Sequence, residues 1–234
     1  MATANQNVLI TGANGGIGLS LCKEFIARNY NVFGSVRPES RDDPSVTELR
    51  KTGATVIEFD VTDESTIAAA FAAWGDKPLD ILINNAGAPT PPRLWHEVTA
   101  EALIDRFRVN AVGPFIVSKI FMPALDKSIN PKIINMASNF GQIAKNEDGK
   151  YMAYKVSKTA LNQVTKSLGM QMKMTDSKVI VVGIHPGWIP TRLTGMTGRD
   201  EMDVQIPKII DTIRSIKDSD NGGFMDVEGK TMEF

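Results

Sequence analysis

The sequence predicts an α/β chain built on one doubly wound parallel sheet of about seven strands, with helices on both faces. Three observations carry this. Short apolar runs alternate with segments of helical period along the 234 residues. Most of those runs are near-continuous Val, Ile and Leu, as strands buried on both faces require. The first of them, Val8-Leu9-Ile10, leads into a glycine-rich turn and then an amphipathic segment with Leu19, Leu21, Phe25 and Ile26. No linker, internal repeat or low-complexity block interrupts the pattern, so 1–234 reads as one domain.

The first strand, Val8–Thr11, ends in Thr11-Gly12-Ala13-Asn14-Gly15-Gly16-Ile17-Gly18. Gly12 permits a tight turn, Gly16 lets the backbone approach phosphates, and Gly18 lets the helix Ile17–Arg28 pack against the strand. A helix that starts after such a turn offers free N–H groups and a positive dipole end to an anion. Gly12, Asn14, Gly16, Ile17 and Gly18 are therefore candidate dinucleotide-binding residues, although the spacing is Gly-x-x-x-Gly-x-Gly and not Gly-x-Gly-x-x-Gly. The second strand, Val32–Val36, ends at Arg37. An acidic residue there would bind ribose hydroxyls, whereas arginine makes charge-assisted bonds to a 2′-phosphate, so the expected cofactor is NADP(H). Arg41 either assists or faces water. A helix at Val46–Lys51 and a strand at Thr55–Phe59 follow, then Asp60-Val61 and a helix at Glu64–Trp74 capped by Thr62 or Asp63.

The strand Ile81–Asn84 runs into Asn84-Asn85-Ala86-Gly87. A long helix is expected at Ala100–Leu125, with a local irregularity at Asn110 because Gly113-Pro114 follows it. The strand Lys132–Met136 precedes Ser138, and Tyr154-Lys155-Val156-Ser157-Lys158 lies in a helix at Met152–Met174. A strand at Val179–Ile184, a helix at Glu201–Ile216 and a short strand around Gly223–Val227 complete the order. Proline and glycine mark Ala88–Arg93 and His185–Gly198 as loops after strand C-termini, the edge where open α/β sheets bind ligands. The second stretch, continued to Val204, is a candidate substrate lid.

The glycine turn, Asn84-Asn85-Ala86-Gly87, Ser138 and Tyr154-x-x-x-Lys158, in this order and at these intervals, resemble the short-chain dehydrogenase/reductase family across almost the whole chain. The run Met152-Ala153-Tyr154-Lys155-Val156-Ser157-Lys158-Thr159-Ala160-Leu161-Asn162 is most similar to the carbonyl-reductase branch that includes sniffer and the C-factor proteins. The resemblance implies a Rossmann-type sheet and a catalytic tetrad of Asn110, Ser138, Tyr154 and Lys158. It also implies cofactor contacts from Asp60 and Val61 to adenine and from Asn84, Ala86 and Gly87 on the adenosine ribose side, the last three also stabilising the central sheet. In Pro186-Gly187-Trp188-Ile189-Pro190-Thr191, it implies that Thr191 bonds the nicotinamide carboxamide and that Ile189 packs nearby. Two departures stand out. Ala137 replaces a common serine before Ser138, and the basic residue that many NADP-dependent relatives carry in the glycine turn is missing, with Asn14 and Gly15 in its place.

The chemistry is consistent with carbonyl reduction. A carbonyl that receives a hydride must also receive a proton, which a tyrosine hydroxyl can donate. A nearby ammonium is expected to lower the phenol pKa, and the resemblance adds that Lys158 hydrogen-bonds the nicotinamide ribose. A serine hydroxyl at a strand C-terminus can donate to the substrate oxygen. Asn110, by resemblance, holds a water linking Lys158 to bulk solvent. Tyr151 and Lys155 share the same four-residue spacing, so helix geometry alone does not choose between the pairs. The residues flanking the second pair do, through the resemblance, and Tyr151 is then expected near the helix entrance, beside the substrate.

Charge and composition exclude other classes. The net charge of −1 provides no general attraction to nucleic acid or acidic membranes. No apolar run approaches the ~20 residues of a membrane span, and Met1-Ala2-Thr3-Ala4-Asn5 lacks a signal-peptide pattern, so a cytoplasmic protein is expected. The one cysteine, Cys22, precludes an internal disulfide, and His96 and His185 lack partners at metal-ligand spacing. Three functions stay open from sequence: a carbonyl reductase or alcohol dehydrogenase on a small molecule, a cofactor-sensing binding protein, or a biosynthetic isomerase or dehydratase. Trp95, Trp188, Phe140, Met196 and Met202 line an apolar substrate pocket or belong to the core. A homodimer or homotetramer is expected, through the helices Ala100–Leu125 and Met152–Met174.

Overall fold

A computed structural model of the chain describes residues 5–234. Seven parallel strands form one sheet in the order β3-β2-β1-β4-β5-β6-β7. They are β1 (Asn7–Ile10), β2 (Asn31–Val36), β3 (Thr55–Glu58), β4 (Ile81–Asn84), β5 (Lys132–Met136), β6 (Ile180–Ile184) and β7 (Gly223–Met225). The reversal of strand order falls between β1 and β4, which pair in parallel with Val8 opposite Ile81. There the β1 and β4 loops part, and a crevice opens at the strand C-termini.

The period-two alternation of each strand divides its apolar residues between two cores. Val8, Ile10, Ile83, Ile134 and Val182 pack with Leu21, Cys22 and Phe25 of α1 (Gly16–Ala27), Leu49 of α2 (Pro44–Lys51) and Ile209, Ile210 and Ile213 of α7 (Met202–Ser215). Leu9, Leu82, Ile133 and Val181 pack on the other face. Their partners are Ile67 and Trp74 of α3 (Glu64–Trp74) and Val117 and Phe121 of α5 (Gly113–Leu125), with Leu168 of α6 (Met152–Met174) at the margin. Asp63 is the N-cap of α3, its carboxylate accepting from Ser65 N–H at 2.9 Å and Thr66 N–H at 3.4 Å.

The expected helix Ala100–Leu125 is divided. An α-helix, α4 (Ala100–Phe107), passes into a π-helical segment over Arg108–Val112 before α5 begins. Pro114 has no N–H to return to the Asn110 carbonyl in α-register, and the Gly113 N–H reaches back five residues to Arg108 O. Asn110 thus sits where the helix ladder is already broken. The remaining boundaries move by a few residues at most: α2 starts at Pro44 after the Asp43 cap, and α7 starts at Met202.

A buried polar chain ties the sheet to its second helix layer. The Asn84 amide donates to Asn135 Oδ1 at 2.9 Å and Ser118 Oγ at 3.1 Å, and the Asn135 amide donates to Thr165 Oγ1 at 2.8 Å.

Phe121 is fully buried and meets Phe71 edge-on at 5.3 Å and Trp74 at 5.7 Å between ring centroids. Phe121→Ala is expected to destabilise the fold by roughly 3–5 kcal/mol, read as a lowered thermal midpoint. A loss below about 1 kcal/mol would show that this aromatic cluster is not close-packed.

Candidate active site

The C-terminal ends of β1, β2, β4, β5 and β6 open into one cleft of about 1220 Å³, lined from Arg37 at one end to Tyr151 and Trp188 at the other. Its floor is the turn after β1. Gly12 and Gly16 have φ of +63° and +49°, a region that L side chains rarely adopt. A Cβ at Gly12 would lie 2.9 Å from Ala86 Cα, and one at Gly18 would collide with the Gly12 carbonyl oxygen. Thr11 secures this floor to β4, its hydroxyl oxygen accepting from Asn85 N–H and Ala86 N–H, each at 2.9 Å. The bare backbone at the start of α1 is a cradle that suits a diphosphate.

Most of the expected cofactor residues line the cleft: Gly12, Asn14, Gly16, Ile17, Arg37, Asp60, Val61, Ala86, Gly87, Tyr154, Lys158, Pro186, Gly187, Ile189 and Thr191. Gly18, Asn84 and Asn110 lie outside its lining. Gly18 serves the helix–strand approach described above. Asn84 is committed to the polar chain beneath the sheet edge, and its neighbour Asn85 faces the cleft instead. The Asn85 amide donates to Thr11 O at 2.8 Å and Gly12 O at 3.2 Å, so it braces the turn. Strand alternation turns one of two adjacent asparagines into the sheet layer and the other outward, which composition alone does not reveal.

Asn110 is fully buried in the π segment. Its Oδ1 accepts from Ala88 N–H at 2.8 Å and its Nδ2 donates to Ser157 Oγ at 2.9 Å. The Ser157 hydroxyl in turn donates to Tyr154 O at 2.7 Å. The side chain therefore links the β4 loop to α6 and does not bond Lys158.

Ser138, Tyr154 and Lys158 converge on the cleft. Ser138 sits at the end of β5 with extended backbone, its Oγ accepting from Phe140 N–H at 3.1 Å. Phe140 meets the Tyr154 ring edge-on at 6.2 Å. The Lys158 ammonium donates to Met136 O at 2.8 Å and lies 5.6 Å from the centre of the Tyr154 ring. Burial pushes the Tyr154 phenol above its usual range, opposed by the Ser138 hydroxyl, and draws Lys158 down to about 8. The expected lowering of the tyrosine by the ammonium is thus reversed here, because desolvation penalises the phenolate more than its surroundings repay it. Tyr154 stands as a neutral phenol, the form that can give a proton.

The alternative pair is taken apart by the fold. Tyr151 is the N-cap of α6 in the left-handed conformation, φ 55°, and stacks on Phe140 at 5.8 Å. Lys155 bonds Asp148 Oδ1 at 2.5 Å and Asn146 Oδ1 at 2.6 Å, away from Tyr151. Tyr151 nevertheless lines the cleft, beside the expected Phe140, Trp188 and Met196. Trp95 is instead 72% exposed and outside the lining, and Met202 packs against the first core. His185, which the sequence suggested only as a non-ligand, borders the cleft with Nδ1 unpartnered, and burial draws it down to about 4.

The segment after β6 covers the turn. Thr191 Cγ2 lies 3.3 Å from where a Cβ on Gly16 would stand, and Asp200 holds the segment by accepting from Trp188 N–H at 2.6 Å.

This fold is shared with known proteins. The structure matches an NADPH-bound carbonyl reductase from chicken fatty liver with a TM-score of 0.90, at 28% identity over 99% of this chain and 100% of that one. It matches the carbonyl reductase Sniffer of Drosophila melanogaster with a TM-score of 0.89, at 28% identity over 98% of this chain and 100% of the other. The C-signal protein of Myxococcus xanthus is 29% identical over 65% of this chain and 90% of its own length. The resemblance read in the motifs agrees with these likenesses. Since the profile of the short chain dehydrogenases matches residues 6–202, the chain belongs to that family of oxidoreductases.

Proposed function

We propose that this chain, acting as one domain, is an NADPH-dependent reductase that converts a ketone or aldehyde to an alcohol, or runs the reverse reaction. The observation that carries this reading is the convergence of Ser138, Tyr154 and Lys158 in the cleft floored by the glycine turn. The bare backbone of Gly12 and Gly16 fits a dinucleotide diphosphate, and Arg37 at the end of β2 fits a 2′-phosphate. The likeness to an NADPH-bound carbonyl reductase supports the same cofactor. Gly12, Gly16 and Ile17 would hold the diphosphate, Ala86 and Gly87 the adenosine side, and Ile189 and Thr191 the nicotinamide side. Bound NADPH supplies the hydride.

The remaining work falls to the chain. The neutral Tyr154 phenol gives its proton to the carbonyl oxygen as charge develops there. Ser138 Oγ donates a hydrogen bond to the same oxygen. Lys158, lowered by burial but still mainly an ammonium at neutral pH, steadies the phenolate once the proton has left and reprotonates it. Asn110 acts through its side-chain amide, holding Ala88 and the first turns of α6 in place. Phe140, Tyr151, Trp188 and Met196 provide an apolar wall suited to a hydrophobic carbonyl compound. The reading extends to a cytoplasmic setting, which a lone buried thiol fits: burial pushes Cys22 up to about 12, so it stays protonated.

The outward faces of α4, α5 and α6 support self-association. Ile104, Phe107, Phe115, Met152, Val156 and Met170 are all more than a third exposed on those helices. We place the contact of a two-fold homodimer, or of a tetramer built from it, on this surface.

Three outcomes check the proposal. Tyr154→Phe is expected to lower turnover of a carbonyl panel by roughly a thousandfold or more while leaving NADPH binding near wild type. Tyr151→Phe should keep substantial activity, and Lys158→Ala should impair both turnover and binding. A dead Tyr151→Phe enzyme beside an active Tyr154→Phe enzyme would reverse the assignment. Fluorescence titration should show NADPH bound about tenfold or more tightly than NADH, with Arg37→Asp erasing the difference; equal wild-type affinities would exclude the cofactor assignment. Light scattering at micromolar concentration should give a multiple of 25.5 kDa, and a mass at that value would show a monomer.

A further inference from the structure

Gly15 is the N-cap of α1, with φ −176° and ψ 168°. That is ordinary extended backbone, open to any residue, so the conformation does not call for glycine. The space does. A Cβ on Gly15 would lie 2.9 Å from Nη2 and 3.9 Å from Cζ of Arg192, its nearest contacts among the described residues beyond the chain neighbours. The guanidinium of a residue from the segment after β6 thus occupies the position where a side chain at 15 would begin.

Its surroundings orient it. Arg192 lines the same cleft as Arg37, is exposed, and has no carboxylate within ion-pair distance among the described residues. Its charge is felt at Asp43, the cap of α2, whose carboxyl is held below the usual range first by Ser45 and more weakly by Arg192. The Asn14 amide donates to Ser45 Oγ at 2.9 Å, joining the glycine turn to that same cap. The guanidinium therefore lies on the side of the turn that faces the end of β2 and the start of α2. The Asp43 carboxylate accepts from Ser45 N–H at 2.8 Å and feels Arg192 only through space.

We infer that Arg192 is a specificity-determining residue that binds the adenosine 2′-phosphate opposite Arg37, supplying across the cleft the cation that the glycine turn lacks. The inference deepens the NADPH-dependent reading above and rests on it. A hydrated guanidinium on the cleft wall has donors to spare, and two arginines on a dianionic phosphate give planar, multidentate contacts that a lone ribose hydroxyl cannot match. The contact would also connect phosphate binding to the substrate side, since Arg192 directly follows Thr191, which packs on Gly16.

The test is titration of full-length wild type, Arg192→Gln, Arg192→Lys and the double variant Arg192→Gln with Gly15→Arg. NADPH, NADH, 2′,5′-ADP and ADP are the probes, followed by calorimetry, with thermal midpoints of the ligand-free proteins as the control for folding. Arg192→Gln is expected to weaken NADPH and 2′,5′-ADP by about tenfold or more and to change NADH and ADP by less than about twofold. Arg192→Lys should keep part of the preference, and Gly15→Arg, entering the space that Arg192 vacates, should restore it. Unchanged NADPH affinity in Arg192→Gln overturns the inference. So does an equal loss for NADPH and NADH, which would place the arginine on the diphosphate. A wild type without NADPH preference would instead refute the cofactor reading itself, whereas a wild type that prefers NADPH beside an unaffected Arg192→Gln would refute only the role of Arg192.

Discussion

The close approach of the β1 turn to the start of the β4 loop is the constraint on which the site depends. Gly12 stands against Ala86 with no room for a Cβ, and the Thr11 hydroxyl oxygen takes both the Asn85 and Ala86 N–H groups. That contact puts the floor of the cleft at the point where the strand order reverses, between β1 and β4. The proposed catalytic residues are positioned from it. Ala88, two residues past Ala86, is held by Asn110, and Asn110 is held by Ser157 on the helix that carries Tyr154 and Lys158. The chain of bonds runs from the glycine turn to the tyrosine without passing through solvent.

The electrostatics of Tyr154 and Lys158 follow from how deeply this arrangement buries them. A phenol and an amine out of water both resist charging, so Tyr154 is raised and Lys158 lowered. Among the described residues the ammonium bonds the Met136 carbonyl, a neutral acceptor that cannot repay full ionisation. Desolvation thus holds both groups toward their neutral forms. Lys155, three residues away on the same helix, illustrates the contrast: it is also buried, but it finds the exposed Asp148 carboxylate at 2.5 Å.

The segment from His185 to Asp200 joins the two halves of the cleft. Trp188 and Met196 line the cleft, Thr191 rests on the glycine turn, and Arg192 reaches over Gly15. Its path is set by a local clamp, the Asp200 carboxylate on Trp188 N–H together with Thr194 Oγ1 on Thr191 N–H at 2.9 Å. A loop with such internal bonds can present side chains at defined points while lying outside the sheet.

What the sequence determined by itself was whatever neighbouring residues encode. The period of the apolar runs specified the strands and helices, and the glycine spacing marked the turn at β1. Pro114 announced a disturbance near Asn110, since a residue without an N–H must break the ladder behind it. The pairing of Tyr154 with Lys158 was legible only through its flanking residues, because the Tyr151 and Lys155 spacing is the same. Tertiary structure decided the rest. It turned Asn84 into the sheet layer and Asn85 toward the cleft, left Trp95 exposed, and gave Met202 to the core. It also reversed the expected direction of the Tyr154 shift and put Arg192 over Gly15. These outcomes depend on desolvation and on contacts between residues far apart in the chain, neither of which leaves a mark on local composition.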